Sequence, residues 1–239
     1  MISQHGEPLP KDRLAVALDA PTLDAALGLA RQVAPHAAVF KIGLELFTQC
    51  GPGAVAEIAK LGAVFLDLKL HDIPETVERA VGRARDLGVR YLTVHASGGP
   101  EMLRRAAHAA DGSPLTLLAV TVLTSLTDED LAATGVSGGA AEHAARLAAL
   151  AWGNGVQGFV CSPLEVAALH ARHPGATIVT PGIRSASDAH ADQKRVGTPG
   201  DAVRAGASVL VVGRPIRDAA SPRDAAARIE REIEEALIR

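Results

Sequence analysis

The chain has 239 residues, 24 Lys and Arg against 27 Asp and Glu for a formal net charge of −3, and is 48% hydrophobic but only 3% aromatic. This length buries a sizeable core as one barrel or two small domains, and the near-neutral balance argues against a polybasic binder of nucleic acid or of a membrane surface. Four Phe, one Trp and one Tyr leave little for stacking platforms or aromatic cages, so a ligand is expected to be held by backbone, charge and small side chains.

Short apolar, β-branched runs alternate with longer Ala-, Leu- and Arg-rich amphipathic stretches along the whole chain. A strand over 14–18 runs into Asp19 and a helix over 23–33 that Thr22 caps. A strand over 39–43 carries Lys41 and precedes a helix over 53–61 ending at Gly62. The third strand, 64–68, opens the run Asp67-Leu68-Lys69-Leu70-His71-Asp72-Ile73-Pro74 before a helix over 76–87 that stops at Gly88. A strand over 91–95 ends at His95 and is followed by a helix over 101–109. The strand over 115–122 leads into Thr121 to Ser125, with its helix over 140–152. Strand 158–161 reaches Ser162-Pro163, a helix-start signal for 164–173. Strand 177–180 leads to Arg184, and a helix over 199–205 ends at Gly206. Strand 208–212 meets Gly213-Arg214 before a helix over 223–237 announced by Ser221-Pro222. Eight strand-helix units with no Gly/Ser linker or composition break predict a single (β/α)8 TIM barrel over 1–239, in preference to an open doubly wound sheet.

Cys50 and Cys161 lack metal-ligand spacing, and Met1-Ile2-Ser3-Gln4-His5-Gly6 has no apolar signal core. A reduced, cytoplasmic protein is expected. The longest apolar stretches, Leu115 to Leu123 and Val209 to Val212, have the length of buried strands and are too short to cross a bilayer.

In a parallel barrel the site lies at the carboxyl ends of the strands. Asp67 and Lys69 are two apart and share one strand face, while Leu66, Leu68 and Leu70 take the other. With Lys41 from the neighbouring strand and Asp72 just beyond, they form an alternating plus-minus cluster. One Asp-x-Lys on an exposed strand is equally an inert salt bridge. Apolar flanks here predict burial, and burying four charges is costly unless function or full pairing retains them. A lysine fixed between carboxylates stays protonated, which suits a proton donor and not a Schiff base. On the opposite side, Arg184, Gly213 and Arg214 follow strands seven and eight, where barrels bind phosphate with glycine-adjacent N–H groups and an arginine. The alternative is that Gly213 ends a strand and Arg214 is a solvated turn residue. The segment 184–199, with Gln193 inside it, has the length of a lid.

The run 67–74 resembles the Asp-x-Lys-x-x-Asp-Ile-Pro signature of the orotidine 5′-phosphate decarboxylase family. Ala17-Leu18-Asp19, Lys41-Ile42-Gly43, Ala119 to Ser125, Pro181-Gly182-Ile183-Arg184, Asp192-Gln193 and Val212 to Ile216 resemble that family's segments in order and spacing. Glu75 departs from it, since many members carry Asn before the residue matching Thr76, and it is left out of the candidate site.

The resemblance implies loss of CO2 from orotidine 5′-phosphate to give uridine 5′-phosphate, the last step of de novo pyrimidine nucleotide biosynthesis, without metal or organic cofactor. It implies that Lys69 stabilises the charge at C6 and donates the proton, that Asp67 crowds the departing carboxylate, and that Lys41 and Asp72 complete the network. It also implies a homodimer in which Asp72, Ile73 and Thr76 enter the partner's site. Asp19 and Lys41 would bind the ribose, Thr124 and Ser125 would face the pyrimidine, and Arg184, Gln193, Gly213 and Arg214 would hold the phosphate.

Three alternatives are set against this reading. A divalent-metal site of His71, His95, Asp67 and Asp72 is disfavoured by the two lysines and by the absence of a His-x-His pair. A magnesium-dependent sugar-phosphate decarboxylase or aldolase of the sister group would share the Asp-x-Lys core, and a non-catalytic phosphate-ligand barrel would not need the charge cluster intact. His36, His108, His143, His170 and His173 are expected on solvated helix surfaces, and Cys161 as a small core residue.

Overall fold

A computed structural model describes residues 9–184 and 196–238. A 3-10 turn, Pro10–Arg13, leads into β1 (Leu14–Ala17), α1 (Leu23–Val33), β2 (Val39–Ile42), α2 (Leu44–Cys50), α3 (Pro52–Ile58), β3 (Ala63–Leu70) and α4 (Pro74–Asp86). There follow β4 (Tyr91–His95), α5 (Pro100–Ala110), β5 (Thr116–Val120), α6 (Asp128–Ala133), α7 (Ala140–Gly153), β6 (Gly158–Val160) and α8 (Val166–Arg172). The chain closes with β7 (Thr177–Thr180), α9 (Pro199–Arg204), β8 (Val209–Val212), α10 (Arg214–Arg217) and α11 (Pro222–Leu237). Each strand pairs in parallel with the next and β8 pairs with β1, so the sheet is a closed eight-stranded barrel clad in helices, a (β/α)8 TIM barrel.

Alternation along the strands sorts side chains into two cores. Outward residues such as Val16, Phe40, Ile42, Leu66, Leu92 and Leu210 pack under the helices. Inward residues Ala15, Ala17, Val39, Phe65, Tyr91, Leu118, Val179, Val209 and Val211 fill the barrel, with Phe65 and Tyr91 edge to face at 5.9 Å. The helices turn one stripe to the sheet, as Ala225, Ala226, Ile229, Ile233 and Ala236 do on α11. Full burial of an Ile or Leu in such a layer contributes about 1.5–3 kcal/mol.

Caps fall where the sequence places them at Thr22, whose hydroxyl accepts from the Ala25 N–H, and at Ser221, which accepts from Asp224. At Gly62 a Cβ would meet the Ala38 carbonyl oxygen at 2.7 Å, so only glycine fits the turn into β3. Ser162 does not start a helix. Its N–H donates to the Glu165 carboxylate and α8 begins only at Val166. Three short helices, α2, α6 and α10, go beyond the sequence expectation, because four to seven residues are too few to show a period. His173 is buried against Trp152 and Phe159 and is not solvated. Among the described residues no helix is long and apolar enough to cross a membrane.

Candidate functional site

At the carboxyl end of β3 the pairing with β4 slips: Leu66 faces Leu92 but Leu70 faces Val94, so four residue steps of β3 match two of β4. The slack is taken up partly at Lys69, the one non-glycine residue with positive φ (51°) among those described. Asp67 and Lys69 then both project into the barrel mouth, and the Lys69 ammonium donates to Asp67 Oδ2 at 2.7 Å. Leu68 and Leu70 lie on the outer side, packed against the helix layer.

Neighbouring strands extend this pair. Lys41, 9% exposed, reaches from β2 to within 3.8 Å of Asp67 Oδ2 and donates to Asp19 Oδ1 at 3.0 Å. The result is a chain Asp19, Lys41, Asp67, Lys69 of alternating sign across three strands. Gly43 makes room for it, since a Cβ there would lie 3.0 Å from Asp19 Oδ1 and 3.1 Å from the Lys41 ammonium. Arg217 of α10 donates to the Asp19 carbonyl oxygen at 3.2 Å, fixing the turn that presents Asp19. Sequence reasoning missed Arg217, and it missed Thr93 on β4. The Thr93 hydroxyl donates to Asp67 Oδ1 at 2.9 Å and accepts the Lys69 backbone N–H at 2.8 Å.

A cavity of about 340 Å³ opens over this chain, within the range of about 300–1,000 Å³ common for small-molecule sites. Its far wall carries Arg184, Gly213 and Arg214, and Thr124 lines its β5 side. Arg184 is pinned by a bridge across the loop, with Ile183 paired to Gly197 and the Arg184 N–H donating to the Gly197 carbonyl at 3.0 Å. Arg184 is largely buried, and its Nε has no hydrogen-bond partner among the described residues.

The remaining predicted residues lie elsewhere. Asp72 is not part of the four-charge cluster within one chain, because β3 ends at Leu70 and the backbone turns outward to start α4 at Pro74. Asp72 is exposed and accepts the Ile73 N–H, and Asp19 takes the fourth place in the cluster. Ile73 is 65% exposed, and neither it nor Thr76 lines the cavity. Ser125 is exposed and also lies outside the lining, in contrast to Thr124. Gln193 falls outside the described residues. Glu75 pairs with Arg79 one turn along α4. Cys161 is buried and forms part of the cavity wall.

His95 and His71 stand ring to ring with centroids 5.5 Å apart. Burial first, then the neighbouring His71 and Lys69, push the His95 pKa below the ordinary histidine value, opposed only by Asp67. Among the described residues no three His, Cys, Asp or Glu side chains are grouped as a metal ion would need.

The arrangement sets fixed positive and negative charges on one side of an open cavity and arginines on the other. It suits a ligand with an anionic tail and a reacting centre that develops negative charge. Comparison with known proteins agrees. The model of the orotidine 5′-phosphate decarboxylase / HUMPS family matches residues 12–229. A protein of Anaeromyxobacter sp. (strain K) named orotidine 5′-phosphate decarboxylase is 54% identical over 222 residues, covering 92% of this chain and 97% of that one. One of the same name from Pseudomonas aeruginosa (strain LESB58) is 48% identical over 224 residues, covering 92% and 97%. The crystal structure of orotidine 5′-phosphate decarboxylase from Lactobacillus acidophilus superposes with a TM-score of 0.82 at 36% identity, covering 93% of this chain and 99% of that one.

Proposed function

This chain belongs to the orotidine 5′-phosphate decarboxylase / HUMPS family, and from that premise we propose that it converts orotidine 5′-phosphate to uridine 5′-phosphate and CO2, the last step of de novo pyrimidine nucleotide biosynthesis. The observation that carries the reading is the alternating chain Asp19, Lys41, Asp67, Lys69 facing Arg184 and Arg214 across one cavity.

In the proposed mechanism, Arg184, Arg214, the Gly213 backbone and Gln193 take the phosphate. Asp19 and Lys41 take the ribose hydroxyls, and Thr124, on the cavity wall, faces the pyrimidine, with Ser125 next to it in the chain. That places C6 and its carboxylate beside Asp67 and Lys69. The bond from C6 to the carboxylate carbon breaks, the electron pair stays on C6, and CO2 departs from the neighbourhood of the Asp67 carboxylate. The Lys69 ammonium, held 2.7 Å from Asp67, stabilises that pair and then gives its proton to form the C6–H bond. Phosphate binding, remote from C6, supplies free energy for excluding water from the charged end. No metal or organic cofactor takes part, a reading supported by the two ammonium groups standing where a cation would otherwise sit.

The enzyme acts as a cytoplasmic homodimer of single-domain barrels in which Asp72, Ile73 and Thr76 enter the partner's site. The exposure of Asp72 and of the apolar Ile73 beside the mouth supports this. Purified protein mixed with orotidine 5′-phosphate and a chelator is expected to consume the orotate absorbance; no decay at micromolar enzyme sinks the reading, and decay only with added magnesium favours the sister group of sugar-phosphate enzymes. Mixing inactive Lys69→Ala and Asp72→Ala subunits tests the shared site. Random pairing restores about a quarter of wild-type activity if each site draws Asp72 from its partner, and none if it does not.

A further inference from the structure

We propose that Thr93 is a positioning residue for the decarboxylation, acting through Asp67 and Lys69 at once. The inference rests on the decarboxylase reading and deepens it. Thr93 is fully buried on β4, between Tyr91 and His95 on the inward face, and touches the chemistry only through its hydroxyl. That hydroxyl is used in both directions. Its proton goes to Asp67 Oδ1 at 2.9 Å, and its oxygen accepts the Lys69 N–H at 2.8 Å.

The second contact exists because of the slip between β3 and β4. Four residue steps of β3 against two of β4 break the regular ladder just where Lys69 takes its left-handed backbone, φ 51°. A lysine has no intrinsic reason to sit there, so the conformation must be imposed by its surroundings. Thr93 replaces the missing ladder acceptor with a side-chain oxygen and so holds the backbone from which the Lys69 ammonium extends. The first contact orients the other oxygen of Asp67, Oδ2, toward the Lys69 and Lys41 ammonium groups. One hydroxyl thus sets the angle of the carboxylate and the root of the lysine.

A residue that merely filled space would serve as well as valine, which has the same shape, the same β preference and no cost of burying a polar group. The geometry therefore assigns the function to the hydroxyl. Displacements of about 1 Å in a reacting pair cost about 100-fold in rate. Substrate affinity, carried by the phosphate and ribose contacts, is made by other side chains.

The test compares Thr93→Val and Thr93→Ser with the unaltered enzyme by steady-state kinetics on orotidine 5′-phosphate, alongside thermal melting. Thr93→Val is expected to lower kcat by about 30- to 100-fold with KM changed less than about threefold, and Thr93→Ser to stay within about threefold of wild type. A Thr93→Val enzyme with wild-type kcat overturns the inference even if it melts earlier. Equal losses in the Val and Ser variants also overturn it, because they mark packing as the role. Should Thr93→Val not fold, Thr93→Ala removes the same hydroxyl without placing a methyl against the carboxylate and is read the same way. Failure of the unaltered chain to turn over the substrate breaks the decarboxylase reading itself, an outcome distinct from an active enzyme indifferent to Thr93.

Discussion

On one side of the barrel mouth β1, β2 and β3 hold Asp19, Lys41, Asp67 and Lys69 in contacts between 2.7 and 3.8 Å, each charge opposed by another before any ligand arrives. Across the cavity, the loop after β7 holds a buried arginine, Arg184, whose Nε has no partner among the described residues. On the first side the four charges are paired with one another within the chain. On the second, one buried donor of an arginine is unsatisfied among the described residues, an arrangement that an incoming anion relieves. Substitutions on the two sides should therefore couple activity to stability with different signs: a broken pair strands a charge, whereas removal of an unsatisfied donor does not.

The largest expected effect is on the paired side. Lys69→Ala removes both the proton donor and the cation that faces developing charge, and should lower turnover by about ten-thousand-fold or more while the fold survives. It also leaves Asp67 with a lost charge-assisted hydrogen bond, worth about 1.5–3 kcal/mol, so a lower melting temperature should accompany the loss. Normal activity in this variant would remove Lys69 from the mechanism. Arg184→Met should act the other way on stability. It is expected to cost about 100-fold in kcat/KM, the value of one or two charge-assisted contacts to phosphate, with no fall in melting temperature. The loss should vanish when the nucleoside without its phosphate is the substrate. A melting temperature that drops as far as in Lys69→Ala would erase the contrast between the two sides.

The two sides also differed in how far they could be read from sequence. Asp67 and Lys69 were legible because the two-residue period of a strand puts them on one face whatever the detail, and Lys41 because its strand is the next in the barrel. Asp72 lies outside the within-chain cluster, because β3 ends at Leu70 and Pro74 carries the backbone away, which spacing alone does not say. Asp19 was expected at the ribose, but its ion pair with Lys41 depends on the β1–β2 register that brings Ala17 beside Lys41. The left-handed backbone at Lys69 carries no sequence signal, having neither Gly nor Asn. Thr93 looked like an ordinary β-branched strand residue, although a polar residue at inward parity between Leu92 and Val94 was a cue. Arg184 was legible as a cation after strand seven. Its burial follows from the bridge of Ile183 to Gly197, a long-range pairing that no local pattern encodes.

A smaller effect separates crowding from pairing on the paired side. Gly43→Ala places a methyl at 3.0–3.1 Å from Asp19 Oδ1 and the Lys41 ammonium, and the backbone there, φ −93° and ψ −175°, accepts any residue without strain. The methyl must therefore push the ion pair apart by a few tenths of an ångström. An increase of about tenfold in KM with little change in kcat is expected if Asp19 and Lys41 grip the ribose. A change confined to kcat would instead tie that pair to the chemistry beside Lys69.

The smallest effect concerns the proton balance of the paired side. His95 stands next to it, and a proton there would add a third cation beside Lys69 and Lys41. Burial, His71 and Lys69 all lower its proton affinity in the folded state below that of an ordinary histidine. A base whose folded pKa lies below its unfolded value binds protons more readily when unfolded. Its contribution to stability is thus complete above the unfolded value, about 6.5, and is lost as pH falls from there toward the folded value. His143 and His173 are shifted downward by burial as well, so all three act in the same window and with the same sign. Denaturant melts should show stability falling as pH drops below about 6.5, well before carboxylates such as Asp201 and Asp218, whose lowered pKa values add a further loss nearer pH 4. His95→Asn should flatten the first decline in part and leave the second unchanged. An unaltered first decline would mean that His95 does not take a proton on unfolding in that range, and that the charge beside Lys69 is balanced in some other way.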